Sequence, residues 1–201
     1  MYGASPTNSC AKTRIFEGTC RPAMMENVNQ QAGYRFASRH LPEAAAPPRL
    51  ARLLETWRAQ CGSLAIPPPH LARFEPFTFA LGHIHLIDVL PEGGFHFRIF
   101  GTASFHPLDY HKRDTADVRP AAFRDLVEAD YGTAVARAEP MLHEVELTGP
   151  RRSGIYRRIL LPYAEPGRTP SLLVSGIDEE PGVADVFRDP VFRADPVQPA
   201  A

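Results

Sequence analysis

The chain has few cysteines, and their spacing excludes the small domains that depend on disulfides or structural zinc. Cys10, Cys20 and Cys61 are odd in number and widely separated in the 201-residue sequence. They supply neither a disulfide framework nor a CxxC metal motif. This pattern favours a protein of the reducing cytoplasm, without a structural metal.

Long apolar runs and an excess of one charge are also missing. No segment reaches the roughly 20 apolar residues of a membrane-spanning helix, and the N-terminus lacks the basic and apolar regions of a secretory signal. The formal net charge is -1, from 22 basic and 23 acidic residues, so no overall field attracts nucleic acid. We therefore expect a cytoplasmic protein that binds neither membranes nor nucleic acid.

The motifs of phosphate-binding loops and of serine nucleophiles are absent as well. Neither G-x-x-x-x-G-K-[ST] nor G-x-G-x-x-G occurs in the sequence. Ser175 lies in the apolar run LLVSGI rather than in G-x-S-x-G. Because the sequence does not gather convergent titratable groups, we do not expect an enzyme.

The two ends of the chain have the composition of loosely structured polypeptide. Residues 1–47 are rich in Ala, Ser, Asn, Gln and Pro without clear periodicity, which predicts a mobile leader. If the leader is not part of the natural protein, translation starts at Met24 or Met25 rather than at Met1. Residues 181–201, with repeated Pro and Asp, predict a loose C-terminal tail. The ordered domain is therefore expected over residues 48–180.

Within that domain the first signals are an amphipathic helix and a hairpin. Leu50, Leu53, Leu54, Trp57 and Cys61 recur at helical spacing. Residues 83–89 and 95–101, separated by LPEGG, predict two paired strands. Pairing Asp88 with His96 and Leu86 with Arg98 leaves one buried face. That face carries Ile87, Val89, Phe95, Phe97, Ile99, His83 and His85.

The second half predicts one helix and a meander of three strands. Apolar residues repeat at helical spacing over residues 120–138, a segment that begins at Pro120 and is closed by Pro140. Strand patterns follow over residues 141–148, 154–163 and 171–177, joined by turn-rich segments. The order predicts an α+β domain, with helices on one face of an antiparallel sheet.

Several segments in this order resemble a bacterial branch of the PAS domain family. They are GSLAIPPPHLARFEP after the first helix, HIHLIDV and FHFRIFGT in the hairpin, YHKRDTADV in the polar insert, and YRRILLPYAEPG with SLLVSGI at the end. The resemblance covers nearly all of residues 48–180. It implies a PAS-like five-stranded antiparallel sheet with helices on one face and an N-terminal amphipathic helix.

The resemblance also implies a function. PAS modules are commonly sensors that bind a small molecule or a partner protein in signal transduction. No length remains for an effector domain, so a stand-alone regulatory module acting on a partner in trans is expected. The alternative is a purely structural interaction or dimerisation module with a filled core and no ligand. Neither the ligand nor a cofactor is identified by these residues.

Histidines and strand-borne polar groups are the candidate binding residues. Five histidines suggest a metal site, or haem bound through His106 or His111, but hydrogen-bonded or surface histidines explain the pattern better. They are His83, His85, His96, His106 and His111.

An arginine inside an apolar strand requires an anionic or carbonyl partner if it is buried. Solvent exposure of Arg157 and Arg158 is the other interpretation. The predicted pocket residues are His85, Phe97, Thr102, Tyr131 and Arg158.

The first helix has two possible partners, its own sheet or the same helix of a second subunit. Because PAS modules often dimerise through N-terminal helices, the resemblance implies a homodimer. The predicted interface residues are Leu50, Leu53, Leu54 and Trp57.

Overall fold

The fold is known from a computed structural model, which describes residues 26–31, 33–73, 75–105 and 108–192. Within these ranges, eight strands join in one antiparallel sheet of order β1-β2-β6-β7-β8-β3-β4-β5. The strands are β1 (Glu26–Gln31), β2 (Tyr34–Leu41), β3 (Ile84–Val89), β4 (Phe95–Ile99), β5 (Arg113–Asp114), β6 (Met141–Thr148), β7 (Ser153–Tyr163) and β8 (Leu172–Glu179). The α-helices are α1 (Pro48–Cys61), α2 (Ala121–Arg137) and α3 (Val183–Phe187).

The predicted fold class is wrong in two respects. The sheet has eight strands rather than five, so the molecule is dominated by its sheet. Helices cover both faces of the sheet rather than one. Helix α1 packs on one face, whereas α2 and α3 pack on the other. Each central strand alternates its side chains between two apolar cores, which explains the uninterrupted apolar runs ILLPY at the end of β7 and LLV at the start of β8.

The predicted leader and tail are wrong over the residues that the structure describes there. Strands β1 and β2 extend the sheet beyond β6, and the ring of Phe36 on β2 is fully buried. Residues 183–192 form α3 and a 3-10 turn whose Phe187 and Phe192 lie in the core. The proposed starts at Met24 and Met25 lie outside the described residues, as do Cys10 and Cys20.

The predicted helices and strands of the middle region are confirmed with shifts of one or two residues at their ends. The register of the β3–β4 hairpin is right at Asp88, which faces His96. It is wrong farther along, because a β-bulge between Leu86 and Ile87 pairs Leu86 with Ile99. Ile99 therefore packs in the α1 core, while Phe97 packs in the α2 core.

No helix in the described part of the chain combines the length and apolar character that crossing a bilayer requires.

Candidate functional site: an interior aromatic cavity

A small cavity lies between the α2 side of the sheet, helix α2 and the segment that follows β4. Its volume is about 30 Å³, and one buried water needs roughly 10–15 Å³. The cavity therefore has room for about two waters, and its volume is far below the roughly 300 Å³ of an ordinary ligand pocket. Its aromatic lining consists of Phe97, Phe100, Phe105, Tyr110, Phe123, Tyr131 and Tyr156.

Four of the five predicted pocket residues line this cavity. His85 from β3, Phe97 from β4, Tyr131 from α2 and Arg158 from β7 meet there. Thr102 does not, because its side chain is exposed in the turn after β4. Leu108, Val118, Val127 and Ile177 complete the lining, so His85 and Arg158 supply its charged or imidazole groups.

His85 lines the cavity and has one ring nitrogen without a hydrogen-bond partner in the described part of the chain. Its Nδ1 accepts a hydrogen bond from the Gly101 amide at 3.0 Å, so in the neutral ring the proton lies on Nε2. Burial, the Arg158 charge and His83 lower the pKa of His85 to about 3. The Nε2 atom is buried and has no partner among the described residues. A protonated Nε2 has no free lone pair, so this geometry does not suit a metal or haem ligand.

Arg158 is buried, which rules out the interpretation of a solvent-facing arginine. Only 2% of the residue is exposed, and its Nη2 donates to Oδ2 of Asp130 at 2.5 Å. The guanidinium carbon lies 5.0 Å from the centre of the Tyr131 ring, a cation–π arrangement. Its Nε–H is buried and finds no acceptor in the described structure. Asp130 therefore pairs with the charge of the arginine but does not satisfy its Nε–H.

Asp130 was not predicted, although it organises the site. Its Oδ1 accepts from Asn27 Nδ2 at 3.0 Å, and its Oδ2 also accepts from Ser38 Oγ at 2.6 Å. His143 Nε2 lies 4.0 Å from Oδ1, and burial lowers the pKa of this histidine to about 4. Asp130 therefore accepts from three side chains, one each on β1, β2 and β7. The sequence signal was its spacing, since Asp130 lies four residues from both Leu126 and Ala134 on the apolar side of α2.

The other candidate histidines that the structure describes, His83, His96 and His111, do not line the cavity. His83 Nδ1 pairs with Ser104 Oγ at 3.1 Å, and His96 Nδ1 pairs with Asp114 at 2.7 Å. His111 is exposed, and His106 lies outside the described residues. Within the described ranges, no three His, Cys, Asp or Glu side chains form a group suited to a metal ion.

The helix predicted to form a dimer interface packs on its own sheet instead. Leu50, Leu53, Leu54 and Trp57 are all at most 5% exposed and belong to the core between α1 and the sheet. Trp57 Nε1 donates to the Pro162 carbonyl at 2.8 Å. These four side chains are therefore unavailable for contact between subunits, and that part of the prediction is wrong.

Comparison with known proteins adds no relative: no family model, no curated protein and no solved structure matches the chain. The PAS resemblance therefore stays a proposal carried by the sequence segments alone.

Proposed function

We propose that this chain is a non-catalytic regulatory module whose interior cavity binds a small neutral molecule through a hydrogen-bond acceptor such as a carbonyl oxygen. One observation carries the proposal. His85 Nε2 and Arg158 Nε are two buried donors without acceptors among the described residues, and both residues line the same cavity. Leaving buried donors unpaired costs about 1–3 kcal/mol each, so an acceptor placed between them gains that stabilisation.

The charge balance favours a neutral occupant. Arg158 is already paired with Asp130, and His85 is neutral at physiological pH. An anion would bring an uncompensated charge into an aromatic cavity, which is unfavourable. The resemblance to PAS sensors supports the same class of function, with occupancy passed to a partner protein in trans in the cytoplasm.

Native mass spectrometry of the purified chain tests retention of a molecule. Titration with formamide, compared with sodium formate, tests the chemistry, because the two probes have similar size and differ in charge. We expect formamide to shift the NMR signals of Arg158 Nε–H and His85 Nε2–H, and formate to shift them less. If the purified chain retains no molecule and formamide moves neither NMR signal, the proposal is overturned.

The rival function is a structural interaction module with a filled core. The 30 Å³ volume favours it, because two ordered waters would satisfy both donors without a ligand. Signals of two long-lived waters next to Arg158 Nε–H, insensitive to formamide, would establish this rival.

A homodimer remains part of the proposal, with an interface away from the buried side of α1. Sedimentation velocity at micromolar concentration decides between monomer and dimer.

A further inference from the structure

Strand β1 is attached to helix α2 by amide side chains rather than by apolar ones. Asn27 Nδ2 donates to Asp130 at 3.0 Å, and Asn29 Nδ2 donates to the Ala122 carbonyl at 3.0 Å. Gln31 Oε1 accepts from the Ala122 amide at 2.9 Å. These three residues occupy alternate positions of the strand, so their side chains lie on one face. Water can replace each of these bonds, so the contact between β1 and α2 is easily exchanged.

The position of β1 adds to this lability. It is the terminal strand at one edge of the sheet, and each of its side chains is exposed or half-buried. Its neighbour β2 carries the buried Phe36 and Ser38 and pairs with β6 on its other side. Local opening is cheapest where few apolar contacts are lost, so β1 can detach while β2 stays in place.

One carboxylate joins β1 to the cavity. Asp130 accepts from Asn27 on β1, from Ser38 on β2 and from the cavity arginine, Arg158. Donors that share an acceptor in a buried network influence one another, because each polarises the group that they share. An occupant that accepts a hydrogen bond from Arg158 Nε weakens the guanidinium as a donor to Asp130. Asp130 then becomes a stronger acceptor for Asn27.

We infer that β1 is a releasable edge strand whose docking on α2 is coupled through Asp130 to the occupant of the cavity. An occupied cavity holds β1 more tightly, and an empty one releases it more often. The coupling is reciprocal, so a docked β1 raises the affinity of the cavity for its occupant. Release exposes the backbone edge of β2, where an extended segment of a partner can pair. The physiological use of this coupling rests on the function proposed above.

Asn27→Ala and Asn29→Ala form a matched pair of variants for the test. Each removes one amide bond between β1 and α2, and only the first removes a bond to Asp130. Losing a bond of this kind should speed hydrogen exchange of the β1 amides about fivefold in both variants. Only Asn27→Ala should move the NMR signal of Arg158 Nε–H in the absence of any probe. A signal that both variants move equally, or that Asn27→Ala leaves in place, would overturn the coupling.

Formamide then separates the coupling from the proposed function. With formamide bound, exchange of the β1 amides should slow in the wild type and in Asn29→Ala, and should not change in Asn27→Ala. Formamide that leaves the Arg158 and His85 signals unmoved in the wild type counts against the proposed function. The comparison of the two variants without a probe still decides whether Asp130 couples β1 to the cavity.

Discussion

The Leu53 side chain on α1 lies directly against the Gly176 backbone on β8, so closely that a Cβ atom at residue 176 would overlap Leu53 Cδ1. The side chains of Ile159 and Leu50 would lie 3.1 and 3.3 Å from the same Cβ atom. Glycine therefore sets how near the first helix comes to the sheet. The absence of a side chain at this one position allows the close packing of the α1 core.

Gly176→Ala should lower the free energy of unfolding by about 1–3 kcal/mol, because the added methyl group forces α1 away from the sheet. Gly132→Ala is the matched control. Gly132 is an exposed residue of α2 with no atom near its missing Cβ, and alanine there should stabilise by about 0.5–1 kcal/mol. Urea unfolding of both variants measures the difference. A neutral Gly176→Ala would show that α1 is not held at this distance.

Leu53→Ala should cost about 2–5 kcal/mol, because the side chain is fully buried in the α1 core. Leu81→Ala, at an exposed leucine, should change stability by less than about 0.5 kcal/mol. Sedimentation velocity of the folded Leu53→Ala protein should match the wild type. A change in its oligomeric state without a loss of stability would restore this helix as an interface between subunits.

Local patterns in the sequence were sufficient for the middle of the fold. The helical spacing of Leu50, Leu53, Leu54 and Trp57 and the turn residues after Val89 each act within a few residues, and the elements they predict are present. The spacing could not tell whether the sheet or a second subunit covers α1, since either would bury the same stripe.

Strand β1 was missed because its sequence, ENVNQQ, alternates amides instead of apolar residues. Its inward side chains bond to a helix 93 to 103 residues later, and no local pattern reports a partner at that distance. Helix α3 is short, and its place in the core depends on packing against β7 and its neighbours. Both ends were therefore misjudged for the same reason, a dependence on distant contacts.

The candidate site was predicted only in part, because some of its residues depend on distant contacts as well. His85 and Arg158 interrupt apolar strands, and the alternation of side chains predicted that His85 faces the core. For Arg158 the sequence left burial and solvent exposure open. Asp130, the partner of Arg158, lies on a separate helix, and its role depends on how α2 crosses the sheet. Thr102 was assigned to the pocket from its position after a strand, but the turn directs its side chain to solvent.

Breaking the Asp130–Arg158 pair from one side should be strongly destabilising. Asp130→Asn leaves Arg158 as a buried, uncompensated cation, at a cost of about 3–5 kcal/mol. The control is Asp88→Asn, which breaks the more exposed pair with Arg98 and should cost less than about 1 kcal/mol. Urea unfolding at pH 7 compares the two. Similar losses in both variants would contradict the importance of the buried pair. If Asp130→Asn does not fold, the double variant Asp130→Asn with Arg158→Met should recover stability, since it removes the unpaired charge.

The tautomer of His85 is fixed by its contact with the Gly101 amide. Long-range ¹H–¹⁵N correlation spectra at pH 7 should show His85 with an unprotonated Nδ1 and a protonated Nε2, because Nδ1 is the acceptor. The same pattern should be present in Phe97→Leu, which alters the cavity wall and leaves the Gly101 contact in place. A protonated Nδ1 would refute the donor at the cavity and, with it, the proposed chemistry of the occupant.

Acidification should destabilise the protein between about pH 6.5 and pH 4 through His85 and His143. Burial lowers the pKa of these histidines to about 3 and about 4, whereas an unfolded histidine titrates near 6.5. In this window the unfolded chain binds more protons than the folded one, so the free energy of unfolding rises with pH. At pH 5 each histidine should remove about 2 kcal/mol of the stability present at pH 7.

Urea unfolding of the wild type at pH 7 and at pH 5 measures the combined loss from both histidines. The same pair of measurements on His85→Phe should give a loss about half as large. An equal loss in the variant and the wild type would mean that His85 is not buried in its neutral form.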